Sequence, residues 1–192
     1  MLSRIIDETT NAVVSAVKGV GNVFQALTDT VKDQVVNVLS GTGEVAGSLI
    51  ESVASVASGA VRGAGEVGAS VTETAQNTMS GVIQGVSQVG GDVLDAVRGG
   101  AHGIVKGVSD TGGDIGEAAV SAVQGAINSA GDVGADSAAA AHAAVSGTLD
   151  AATDIGGDAV NTVRNALLST AKLPRDVIES ALKGSGKEEK EE

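Results

Sequence analysis

The sequence predicts an all-α protein of long amphipathic helices, elongated or bundled, built from seven repeats of 22 residues. Three observations predict it. The chain repeats itself at a fixed spacing, its apolar columns fall three and four residues apart, and its hydrophobic content is almost wholly Val, Ala, Ile and Leu.

The repeat sets the organisation. Cut at Gly19, the chain gives seven blocks without insertion or deletion, ending at Lys172; two of them read GTGEVAGSLIESVASVASGAVR and GVSQVGGDVLDAVRGGAHGIVK. The fifth column holds Val23, Val45, Val67, Val89, Thr111, Val133 and Ile155. The ninth holds Leu49, Val71, Val93 and Ile115, the thirteenth Val53, Val97 and Val163, and the seventeenth Val35, Met79 and Leu167. At 100° per residue these columns share one broad arc, as an amphipathic helix requires. Twenty-two residues are two units of eleven, a hendecad spacing of about 3.67 residues per turn. That is close to a straight helix, so the stripe barely drifts. A β-solenoid with glycine corners is the competing architecture, and the Ala138–Ala144 run and the three–four spacing oppose it.

The glycines admit two readings. One series is Gly19, Gly41, Gly63, Gly85 and Gly107; another is Gly90–Gly91, Gly112–Gly113 and Gly156–Gly157. Each mid-helix glycine costs about 1 kcal/mol relative to alanine. Either each cluster turns the chain, giving short helices folded back on one another, or a long helix forms once its apolar face finds a partner. Retention of phase favours the second. Glycines four apart also let helix backbones approach closely. Gly59, Gly63, Gly81, Gly85, Gly99, Gly103 and Gly107 are the candidates.

The ends differ. Residues 1–18 read as a helical lead-in with Leu2, Ile5, Ile6, Val13, Val14 and Val17 on one face. After the repeats (19–172), Pro174 precedes a short helix within 173–183, and 184–192 reads as a charged, disordered tail.

Composition narrows the function. The only aromatic residue is Phe24, and Cys is absent. Aromatic side chains supply the largest single burials in a core, so their scarcity argues against a compact domain. A mean hydropathy of +0.20 argues against a solvated disordered chain. The net charge of −12 opposes nucleic-acid binding, which rests on phosphate neutralisation by Lys and Arg. No apolar run is long enough for a transmembrane span, and the acidic start does not resemble a signal peptide. The expected location is cytoplasmic, free or on an intracellular granule, droplet or assembly.

Motifs with a chemical look have plainer explanations. Gly63-x-Gly65-x-x-Gly68 matches a dinucleotide fingerprint, but that motif needs a strand before it. The pairs Asp110/Asp114, Asp132/Asp136 and Asp154/Asp158 read as a solvated acidic face, since Ca²⁺ wants 6–8 oxygens from a folded loop. His102 and His142 lack a second His or Cys at metal spacing. No cofactor, metal or catalytic residue is expected, and the chain reads as no enzyme.

The segments NTMSGVIQGVSQVGGDVLDAVRGG and SGAVRGAGEVGASVTETAQNTMSG resemble the 11-residue amphipathic-helix repeats of perilipins and synucleins. The resemblance covers most of 19–172. It implies a chain that is unfolded in water and becomes helical on lipid droplets or membranes. A weaker similarity to late-embryogenesis-type 11-mers implies a stress-protective role.

The expected interaction face is Val23, Val45, Leu49, Val67, Val71, Val89, Val93, Val97, Ile115, Val133, Ile155 and Val163. Its first expected partner is the chain itself, as a homo-oligomer, bundle, filament or sheath. The alternative is a neutral lipid or polymer surface that the protein coats. If the acidic face pairs with cations on a neighbouring helix, those cations are Arg62, Arg98, Lys106 and Arg164.

Overall fold

The structure is a computed structural model that describes residues 2–19, 23–42 and 46–188. Nine helices occupy these residues, with no strand among them: α1 (Leu2–Gly19), α2 (Val23–Thr42), α3 (Ala46–Glu66), α4 (Val71–Gln88), α5 (Val93–Asp110), α6 (Ile115–Asp132), α7 (Ser137–Ile155), α8 (Ala159–Ser169) and α9 (Arg175–Glu188). They pack as a bundle.

The chain turns once per repeat, and the turn has a local cause. In the links after α3, α4, α5 and α6, Gly68, Gly90, Gly112 and Gly134 take φ between 73° and 76°, a region closed to most side chains. The residue after each glycine sends its N–H back into the helix: Ala69 to the Ala64 carbonyl, Gly91 to Val86, Gly113 to Val108 and Ala135 to Ala130. That is the Schellman ending of a helix. The next residue starts the following helix. Ser70 accepts from the Glu73 N–H, Asp92 from Leu94 and Asp95, Asp114 from Gly116 and Glu117, and Asp136 from Ala138 and Ala139. A four-residue unit thus ends one helix and caps the next. The last turn is looser: Gly156 and Gly157 both have positive φ, and Asp158 makes no side-chain capping bond.

The reading of one long helix is therefore corrected. The cluster at Gly90–Gly91 is a turn, while Gly63, Gly85 and Gly107 of the other series lie inside helices. Phase is kept because the turn glycines Gly68, Gly90, Gly112, Gly134 and Gly156 recur one repeat apart. The expected end of the C-terminal helix is also revised: α9 runs to Glu188, past Lys183, and residues 189–192 lie outside those described.

Helices alternate between two layers. The odd helices α1, α3, α5, α7 and α9 pack side by side in one layer, and the even helices α2, α4, α6 and α8 in the other. Each tight turn reverses the chain and carries it across, so helices two apart run parallel.

One apolar cluster fills the seam between the layers. Its largest fully buried side chains are Leu27, Met79, Ile83, Ile104, Leu167 and Ile178. The scarcity of aromatics does not prevent a continuous core. Small residues let the helices come close enough that Val, Ala and Leu fill the space.

Candidate functional site

The chemistry that distinguishes this sequence is helix-to-helix contact, and it is built from the glycines upward. An ideal Cβ placed on Gly59 would lie 2.6 Å from the Ile6 carbonyl oxygen, on Gly63 2.8 Å from that of Thr10, and on Gly81 2.7 Å from that of Thr28. Gly85 sits over Lys32, and Gly99, Gly103 and Gly107 sit over Ile50, Ala54 and Ser58. Gly59, Gly63, Gly81, Gly99 and Gly103 thus lie where a parallel neighbour's backbone leaves no room for a side chain, and Gly85 and Gly107 where it leaves only a tight 3.0 Å. Hydrogen bonds cross two of these contacts, each between residues 49 apart. Thr10 Oγ1 donates to the Gly59 carbonyl at 3.1 Å, and Thr28 Oγ1 to that of Asn77 at 3.4 Å.

Two further glycines of the same kind stand outside the expected set. A Cβ on Gly125 would lie 3.1 Å from the Gln76 Cα, and one on Gly147 would meet the Arg98 backbone. Their signal is the nineteenth column, which reads Gly59, Gly81, Gly103, Gly125 and Gly147. Those glycines lie in α3 to α7, each of which packs on a parallel predecessor; α8, which packs on α6 at the end of its layer, carries Ser169 there. The same column holds Ser15 and Asn37 in α1 and α2, which have no such predecessor among the described residues.

The expected apolar face does not form one open surface. Val97 and Val163 are fully buried in the core. Leu49, Val67, Val71, Val93, Ile115, Val133 and Ile155 are half-buried against it near the helix ends. Val89, at a turn, is exposed. Val45 lies outside the described residues, and Val23 is described only as the first residue of α2. Apart from Val89, the part of the arc whose side chains are described packs against other repeats of the same chain.

The acidic columns are more than a solvated face. Asp92, Asp114 and Asp136 are N-caps. The backbone N–H groups of Ala139 and Ala138 hold the exposed Asp136 carboxyl below its ordinary value. No group of three His, Cys, Asp or Glu among the described residues is placed to hold a metal ion. Gly63 and Gly65 lie within α3 and Gly68 in the turn after it, so the fingerprint match has no preceding strand.

The outer face of the odd layer carries the charged contacts. Arg98 of α5 pairs with Asp150 of α7 at 2.8 Å, and His102 Nε2 lies 2.9 Å from Asp154 Oδ2. Lys106 pairs within its own helix, with Asp110 at 3.1 Å. Arg98 thus pairs across helices between repeats of one chain, with Asp150, which stands outside the acidic columns. Two shallow grooves of about 400 and 310 Å³ flank this row, the first lined by Glu51, Arg98, His102, Asp150 and Asp154. On the even layer, Thr72 Oγ1 donates to the Glu117 carboxylate, and Gln84 and Gln124 bond to Ser80 and Asn128.

No protein-family model matches this sequence, and no curated protein matches it significantly. No helix among the described residues is long and apolar enough to cross a membrane.

Proposed function

We propose that this chain is a non-enzymatic structural protein. Its repeated amphipathic helix self-associates through a Val/Ala/Gly face to build a bundle, and one chain satisfies that association by itself. The observation that carries the reading is the nineteenth column. Glycine stands there in the five helices α3 to α7, each packed on the helix two before it, whereas α2, which has no predecessor among those described, carries the larger Asn37, and α8, at the end of its layer, carries Ser169. Glycine weakens an isolated helix by about 1 kcal/mol. Its placement makes sense where close backbone approach returns more than that.

A coat on a lipid droplet or polymer granule requires the two layers to part, because the columns that would meet lipid are covered. A stress-protective disordered chain requires the helices to be absent in water. Circular dichroism across a dilution series, with and without neutral vesicles and alongside light scattering, tests all three. The proposal predicts a strongly helical spectrum in buffer, unchanged by dilution and by vesicles. A coil that becomes helical only with vesicles would establish the coat. Helix that melts on dilution would place the association between chains.

A further inference from the structure

The even layer has one end built to receive and one end that is polar. Interior helices receive their parallel successor on the tenth, fourteenth and eighteenth positions of the repeat: Ile50, Ala54 and Ser58 of α3 lie under Gly99, Gly103 and Gly107 of α5. In α8 these positions are Val160, Arg164 and Leu168. The neighbours of α8 are α6, α7 and α9, and no described helix takes the next place in its layer. A groove of about 420 Å³ opens there, lined by Arg164, Leu168, Arg175, Glu179, Leu182 and Lys183. Leu168 is 37% exposed, one of the few large apolar side chains that are. Arg175 lies 3.5 Å from Glu179, which leaves the groove an excess of positive charge.

At the other end, α2 presents Gln25, Asp29, Asp33 and Asn37, all exposed. Asp33 and Asn37 occupy the positions that α4 fills with Asn77 and Gly81, the residues that seat it on α2. The register of the repeat would carry Asn37 to Arg164 and Asp33 to Val160, within a turn of the arginine.

Resting on the structural reading above, we propose that the α8–α9 groove of one copy receives the α2 stripe of a second copy, head to tail. The acidic pair Asp29 and Asp33 meets the groove's excess positive charge, with Asp33 within a turn of Arg164 and Asn37 over Arg164 itself, one turn from Leu168. Asn37 in place of glycine keeps the backbones apart, so the contact is polar, salt-sensitive and weaker than those inside the chain. A contact between two different faces propagates head to tail, into open chains unless the rotation closes a ring.

The test is sedimentation equilibrium of the full chain over a wide range of protein and salt concentrations. The unaltered protein should grow in mass with concentration and lose about tenfold or more in affinity at high salt. The double variants Asp29→Lys/Asp33→Lys and Arg164→Glu/Arg175→Glu should each remain monomeric, with unchanged circular dichroism, since all four residues are exposed. Mixed in equal amounts, the two should associate again, because every junction then joins opposite charges. A protein that stays monomeric throughout, or association that survives either double reversal, overturns the proposal. A helical monomer does so while leaving the self-contained bundle intact; a coil in buffer removes both.

Discussion

Replacing Gly103 by alanine separates the two roles glycine can play in this chain. On an exposed helix the change stabilises by about 1 kcal/mol. Here the added Cβ would sit 2.8 Å from both the Cα and the carbonyl carbon of Ala54, and closer still to its oxygen. Carbon–carbon contacts are optimal near 3.5–4.0 Å, so α5 must retreat from α3 by about 1 Å. A gap of that size forfeits a quarter to a half of the dispersion attraction across the interface. That interface includes Ser58 and buried Val61, which lie under Gly107. Overpacking of this kind costs typically 1–3 kcal/mol, and here it falls on backbone, which cannot rotate away. We expect Gly103→Ala to destabilise by about 2 kcal/mol net, lowering Tm by roughly 4–8 °C for a domain of this size. Gly65→Ala is the control: its Cβ would meet only Thr111 Cγ2 at an ordinary 3.6 Å, so stability should hold or rise. Thermal and urea unfolding followed at 222 nm measure both. If Gly103→Ala is neutral or stabilising, the close-approach argument is wrong.

Three further perturbations address the turns. Asp114→Ala removes the acceptor shared by the N–H groups of Gly116 and Glu117 in the first turn of α6. It should cost about 1 kcal/mol in urea unfolding, whereas Asp158→Ala, with no capping bond to lose, should cost less. Gly112→Ala should cost about 1–2 kcal/mol although nothing crowds the site, because φ of 73° is unfavourable for an L side chain. Asp136 has a depressed folded-state value, so its contribution is present above the unfolded value of 3.8 and is lost as pH falls through the folded one. The amide signals of Ala138 and Ala139 should shift in that acid window, and Asp136→Asn should abolish the titration while keeping the cap.

Much of the fold is legible in the sequence, for physical reasons. Columns such as Val53/Val97/Val163 carry helical periodicity because one face of each helix is buried. The glycine positions are legible too, since a backbone contact at Gly59 or Gly81 tolerates no other residue. The turns are hidden because a repeat that equals a helix plus its link has the same period as an unbroken helix. The deciding signal is the pairing of a glycine with Asp two residues later, as in Gly90/Asp92 and Gly112/Asp114, which joins a helix ending to an N-cap. The His102–Asp154 and Arg98–Asp150 contacts join residues 52 apart. Their register follows from which helices share a layer, and the one-dimensional pattern carries no record of that.

The central claim is that the chain folds back on itself once per repeat. The sequence contains no Cys, so spin labels can be placed at His102→Cys and Asp154→Cys alone, with doubly labelled protein diluted into unlabelled protein. Neighbouring parallel helices place the labels on the order of 10–20 Å apart, allowing for their tethers. A continuous helix would separate the same 52 residues by about 78 Å at 1.5 Å per residue. A short distance in buffer supports the account; a long one contradicts it.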